Sequence, residues 1–329
     1  MAPRRAGSDA VAIDFELPPL VTNHEGRMRD VGVELEFAGL TAAEAAAALR
    51  EAFGGRLVEE DPHAYVIAGS ELGDLAVRLD LRYAHPDRAD DGLLGRVEAK
   101  LTAWLGTAAS LIVPCELITA PVPMNRLADL ERAIEVLRRA GAAGTQDGPL
   151  YAFGLHFNPE APRLDAGTIL SVLKAFVLLA AWLRREVAPD PTRDFLGFAD
   201  PFPADYVHRL ASPDYWPALD RLIDDYLDAN PTRNRDLDLL PLLRFLDDAR
   251  VTARLPDAKI GRRPAFHYRL PDARVSDPGW RMAPDWNRWV AVERVAADRA
   301  RLERLGLAYR AFVGEAKSWA DLAAGIAFA

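Results

Sequence analysis

The stretch Val31-Gly32-Val33-Glu34-Leu35-Glu36-Phe37 alternates apolar and acidic side chains with a period of two. Folded as a strand, it puts Val33, Leu35 and Phe37 on one face and Glu34 and Glu36 on the other. Two carboxylates about 7 Å apart along a strand repel each other unless they are solvated, protonated or shared with a cation. Hard oxygen ligands of this kind suit Mg²⁺ or Mn²⁺. An edge strand with one wet face gives the same alternation, so the stretch by itself leaves both readings open.

The remaining composition narrows the class. With 329 residues, half of them hydrophobic, the chain can bury a full core as one large domain or two intimately packed ones. A balance of 40 basic against 49 acidic residues, net −9, argues against nucleic acid or an anionic membrane as the main partner, although a local basic pocket remains compatible. The single cysteine, Cys115, excludes an internal disulfide framework and a thiolate metal cluster, which fits a reducing cytoplasm. The first ten residues lack the apolar run of a signal peptide, and residues 1–20 read as a flexible tail. Residues 21–329 then form one catalytic-size domain, with a helical insertion at about 188–250. The most apolar run, 169–183, is too short for a bilayer span and contains Ser171 and Lys174, so a buried helix is expected there.

Along the chain, Thr41-Ala-Ala-Glu44 is a capping box that opens an Ala-rich helix ending at Gly54-Gly55. Strand signals at 56–59, 64–68 and 75–83 predict an antiparallel meander. In the last of these Arg78, Asp80 and Arg82 share a face, which makes Asp80 a third candidate carboxylate. Residues 90–109 read as a helix and 110–121 as a strand. Glu116 interrupts that apolar strand, where a carboxylate costs several kcal/mol unless paired, protonated or metal-bound. Cys115 faces the other way, as a core thiol.

Residues 125–139 predict an amphipathic helix closed by Gly141, and Leu150 to Pro159 a strand with His156 and Asn158 on one face. A lone strand histidine is usually a hydrogen-bonded core residue; beside Asn158 it is also a candidate ligand or phosphate contact. A long buried helix over 165–187 precedes a loop punctuated by Pro189, Pro191, Pro201 and Pro203, a candidate lid or surface decoration. Helices at 204–210 and 216–229 lead to Arg233-Asn-Arg235, which suits either a bound anion or a solvated helix start. In the final strand-like run, His267 and Arg269 lie opposite Phe266, Tyr268 and Leu270. From 285 to about 313 the chain reads as one helix, followed by a short closing one.

The order of these pieces carries more than any one of them. Gly32-Val-Glu34-Leu-Glu36-Phe37, Asp80, Glu116-Leu-Ile-Thr-Ala-Pro121, Gly154-Leu-His156-Phe-Asn158, Arg233-Asn-Arg235-Asp-Leu237-Asp238 and Phe266-His267-Tyr-Arg269 together resemble the amidoligase family of the glutamine synthetase-like carboxylate–amine ligases. The resemblance implies an α+β fold, a curved antiparallel sheet forming a half-barrel with helices on its convex side. It also implies ATP-dependent amide or peptide-like bond formation through an acyl phosphate, with ATP and Mg²⁺ or Mn²⁺ as cofactors. Small-molecule or peptide carboxylates and amines would be the substrates, and a glutamine amidotransferase-type hydrolase a pathway partner.

Carried over residue by residue, Glu34, Glu36, Glu116 and His156 become metal ligands, with His267 a further one. His156 and Asn158 lie near nucleotide phosphate, Arg233 and Arg235 contact substrate or phosphate, and Arg269 contacts the γ-phosphoryl group. Asp80 contacts substrate or metal. Three positions depart from the family pattern: His267 replaces a usual Glu, Asp238 a usual Asn, and Asn158 the second histidine of His-x-His. These departures keep two alternatives in view, a catalytically silent nucleotide- or partner-binding relative and a metal-dependent hydrolase.

Overall fold

The computed structural model describes residues 14–80, 114–148, 151–196, 199–256 and 260–329. Among the described residues nine strands form one open sheet, and every pairing between named strands is antiparallel. The strands are β1 (Asp30–Phe37), β2 (Arg56–Asp61), β3 (Ala64–Ser70), β4 (Gly73–Leu79), β5 (Cys115–Thr119), β6 (Val122–Pro123), β7 (Leu155–Pro159), β8 (Leu237–Asp238) and β9 (His267–Tyr268). Their order is β2-β3-β4-β5-β1-β7-β9-β8, with β6 also pairing β1. The acidic strand therefore sits at the centre of the sheet, and the edge-strand reading of its alternation falls away. The expected helix at 90–109, the strand start at 110–113 and Arg82 lie outside the described residues.

Local chemistry accounts for most element ends. Helix α1 (Ala42–Phe53) opens on the capping box: Thr41 Oγ1 accepts the Glu44 N–H at 3.2 Å and Glu44 Oε2 accepts the Thr41 N–H at 2.9 Å. Helix α2 (Leu127–Ala140) stops where Gly141 turns left-handed at φ 104°. Asp165 caps α3 (Ala166–Val187) through the Thr168 N–H at 2.8 Å. That helix matches the one expected over 165–187; its 22 residues are enough by length and composition to span a bilayer. Burial decides its role, because 61% of its most apolar window is covered inside the protein and Trp319 donates to the Leu178 carbonyl at 3.0 Å.

Four shorter helices follow, α4 (Pro191–Leu196), α5 (Ala204–Leu210), α6 (Leu219–Ala229) and α7 (Leu240–Leu246), then α8 (Asp248–Arg254). The helix expected from 285 to 313 is two, α9 (Ala283–Ala297) and α10 (Arg299–Ala311). Asp298 separates them, leaving helical dihedrals and capping the second through the Arg301 N–H at 2.9 Å. A last helix, α11 (Ala316–Phe328), closes the fold.

The two faces of the sheet do different things. On the apolar face Val33, Leu35, Phe37, Leu117, Leu155, Phe157 and Tyr268 join the core. Phe157 meets Trp286 of α9 with ring centroids 5.7 Å apart, and Tyr268 meets Phe176 of α3 at 5.8 Å. Behind them, Arg29 and Glu293 form a fully buried two-armed ion pair at 2.7 and 2.8 Å, tying the start of β1 to α9. Residues 14–16, from the expected tail, hydrogen-bond along α9 through Asn287 and Trp286. With one face filled by helices, the polar side chains collect on the other.

Candidate active site

Register puts the site together. Across the β1–β5–β4 ladder Glu36 pairs with Glu116, and Glu116 with Arg78. Across β1–β7, Glu34 pairs with His156 and Gly32 with Asn158. Tyr268 pairs with Phe157 on one side and Leu237 on the other, which sets His267 opposite Asp238. Six strands thus deliver acidic, imidazole and guanidinium groups to one surface. The donor atoms fall into two groups, Glu34 with His156 and His267, and Glu36 with Glu116 and His156; within each, one atom per residue lies within 4.8 Å of the others.

Glu34 is the hub. Its carboxylate accepts from Asn158 Nδ2 at 3.0 Å and Arg263 Nη1 at 3.2 Å, with His156 Nδ1 at 3.4 Å and His267 Nε2 at 3.7 Å. Burial pushes this carboxyl up, but the hydrogen bond to His156, with His267 and Arg263 close by, holds it well below the usual carboxylate range. Burial holds His156 well below the ordinary imidazole value, with Arg269 and His267 adding to that effect against the Glu34 hydrogen bond. An ionised carboxylate beside a neutral imidazole is a ready donor pair. Glu36 Oε2 accepts the Gly154 N–H at 2.8 Å, and Arg78 reaches Glu116 at 3.4 Å.

Several buried polar atoms here have no hydrogen-bond partner: Asn158 Oδ1, Asp238 Oδ2 and both ring nitrogens of His267. Such atoms each cost about 1–3 kcal/mol, and their concentration beside carboxylates is what a divalent cation would relieve. Imidazole and carboxylate donors together suit Mn²⁺ or Zn²⁺ as well as the harder Mg²⁺. The donor set therefore fits a divalent ion. Residues 27–291 match the family described as "Putative amidoligase enzyme". The chain belongs to that family. Comparison with curated proteins and with solved structures gave no match.

The amidoligase sequence motifs reach this surface unequally. Glu34, Glu36, Glu116, His156, Asn158 and His267 come together on it. Arg269 is buried beside them and donates to the Arg233 carbonyl, while Arg233 Nε stands 4.0 Å from Asp238. Arg235 points elsewhere in its described contacts, to Asn230 at 2.9 Å and the Pro201 carbonyl at 2.6 Å. Asp80 is buried at the end of β4, its N–H on the Pro114 carbonyl at 2.9 Å. Cys115 is a core thiol, hydrogen-bonded to the Leu40 carbonyl at 3.4 Å and pushed up to about 11 by burial.

Arg263 and Arg193 escape a sequence reading, and Gly154, already part of a sequence motif, gains its steric role only in the fold. Arg263 follows a glycine and a second arginine at the start of the strand-like run 260–272, of which only His267–Tyr268 is strand, and only the fold brings it to Glu34. Arg193, from the proline-punctuated segment, buries its guanidinium against the carbonyls of Arg269, Leu270 and Pro271 at 2.7, 2.7 and 2.8 Å, with Asp272 at 3.1 Å. Gly154 leaves room for a ring: a Cβ there would stand 2.5 Å from His156 Nε2 and 3.0 Å from Arg193 Nη2.

Proposed function

We propose that this chain is an ATP-dependent carboxylate–amine ligase working through an acyl phosphate. The observation that carries the reading is the convergence of Glu34, Glu36, Glu116, His156 and His267 on one sheet face, with Arg263, Arg269 and Arg78 around them. These five residues are assigned to hold divalent ions, with Asn158 positioning Glu34. Bound there, such an ion offsets the charge of a triphosphate and polarises its γ-phosphoryl group.

Arg269 is assigned to the γ-phosphoryl oxygens, and Arg233 and Arg263 to the incoming carboxylate or phosphate, as planar forks suit. Arg235 holds the 230–238 run in place. Asp80 is assigned to substrate at the end of β4. In the first step a carboxylate oxygen attacks the γ-phosphorus, the P–O bond to the β-phosphate breaks and ADP leaves. In the second the amine attacks the acyl carbon, the C–O bond to phosphate breaks, and the amine proton passes to the departing phosphate.

Phosphate and ADP release with Mg²⁺ or Mn²⁺, across a panel of carboxylates and amines, tests the reading against Glu34→Ala. Turnover in the wild type that is lost in the variant supports it. Failure of every pair while Mn²⁺ and nucleotide bind normally overturns it in favour of a silent binding relative, the reading that His267 in place of a carboxylate favours. Water acting as the acceptor without ADP formation would point instead to a hydrolase.

A further inference from the structure

A carboxylate with one bare oxygen faces an imidazole with two bare nitrogens at the rim of this site. Asp238 closes β8, pairs with His267 in the β8–β9 ladder and is fully buried. Its Oδ1 accepts the Leu240 N–H at 2.9 Å. Its Oδ2 has no hydrogen-bond partner; His267 Nδ1 stands 3.5 Å away and Arg233 Nε 4.0 Å. On the far side of the ring His267 Nε2, also without a hydrogen-bond partner, lies 3.7 Å from Glu34 Oε2. One ring is held between two acids.

An imidazole that ligates an ion through one nitrogen has at most one N–H left, on the other, and the two acids compete to orient it. Asn158 and Arg263 donate to Glu34 Oε1 at 3.0 and 3.2 Å, and Oε2, the oxygen facing Nε2, has His156 Nδ1 closer, at 3.4 Å, whereas Asp238 Oδ2 has no closer donor among the described residues than His267. The unmet acceptor draws the proton to Nδ1. That leaves the Nε2 lone pair facing Glu34 and His156. Metal-ligating histidines are held in this way, one nitrogen on the ion and the other donating to an outer carboxylate.

We propose that Asp238 is a positioning residue: it accepts the Nδ1 proton of His267, fixes the tautomer and tilt of the ring, and so makes Nε2 a donor to a divalent ion shared with Glu34 and His156. The inference rests on the cation-holding reading given under Proposed function. It also joins two departures from the family pattern into one. His267 brings no charge of its own, and Asp238, its partner across the ladder, supplies a negative charge one residue removed from the ion.

Two measurements on the full chain test this. In the metal-free wild type, a long-range ¹H–¹⁵N correlation spectrum, with His267 assigned by the signal missing in His267→Gln, reads the tautomer directly. A proton on Nδ1 is expected; a proton on Nε2 overturns the proposal. Mn²⁺ titration then compares wild type, Asp238→Asn and the double variant Asp238→Asn with His267→Glu. The single variant should bind about 10–100-fold more weakly, and the double should recover to within a few-fold, because a Glu oxygen binds without help from an outer carboxylate.

An unchanged affinity in Asp238→Asn overturns the positioning role. So does a loss that the double variant fails to recover, which would make Asp238 a support of the fold alone. A wild type that takes up no Mn²⁺ overturns the cation reading itself, and the ligand role of Nε2 with it. That failure shows in the first titration, before any variant is compared.

Discussion

Glu36 and Glu116 stand directly opposite each other across the β1–β5 ladder, both buried on the polar face of the sheet. Like charges placed so destabilise a strand pair, and Arg78, half exposed, reaches Glu116 at 3.4 Å. The pair is a cost that a bound cation converts into a gain. Mn²⁺ at about 100 times its Kd should therefore add about 2.7 kcal/mol of stability, read as an upward Tm shift of several degrees. In Glu116→Gln the shift should vanish while the metal-free Tm stays level or rises. An equal shift in both proteins would place the ion elsewhere.

Acid should weaken the fold through His156. Burial holds its folded pKa well below the ordinary value of 6.5, so between the two the unfolded chain binds the extra proton. This contribution is fully present above about 6.5 and drains away as pH falls below it. Asp236 and Asp285, each pushed up to about 6 by burial, act in the opposite sense, costing stability as pH rises towards 6. Comparison with His156→Gln isolates the histidine: the variant should lose up to about 1.4 kcal/mol per pH unit of the wild-type slope between pH 5 and 6.5. Parallel stability curves would refute this.

Gly154→Ala should damage the site more than the fold. The added methyl meets His156 Nε2 at 2.5 Å, and the ring must rotate away from Glu34. Overpacking of this kind costs about 1–3 kcal/mol. We expect a folded protein by circular dichroism in which Mn²⁺ binding is at least tenfold weaker. Wild-type affinity would mean that the ring position is immaterial.

The buried pair Arg29 and Glu293 supports the acidic strand from behind. Arg29→Met leaves Glu293 with only the Trp289 indole N–H, at 2.7 Å, as a described donor. Breaking one side of such a pair costs about 3–5 kcal/mol, measurable as a fall in the urea midpoint. Changing both, Arg29→Met with Glu293→Leu, should recover part of that loss.

Local signals made much of this fold legible in the sequence. The Thr41–Glu44 capping box, Gly141 and the alternation around Glu34 each state their own geometry within a few residues. Order along the chain carried the family and the polar face. What stayed hidden depends on register between distant segments. Nothing near Arg263 says that it will meet Glu34, 229 residues away, and Asp238 and His267 look like unrelated departures until β8 and β9 are paired. The stop at Asp298 was missed because the apolar period runs through it, while the backbone there leaves helical dihedrals. The long apolar helix shows the converse, since its composition alone suits two solvents and only the packing around it chooses.

Arg193 has a consequence for Arg269. Its guanidinium serves the carbonyls of three successive residues, 269 to 271, as a neighbouring strand would. Moving Arg193 away would strip all three at once and loosen the backbone that carries Arg269. Arg78 and Arg263 are partly exposed guanidinium groups beside the acids, so an anion approaching on their side is met by positive charge.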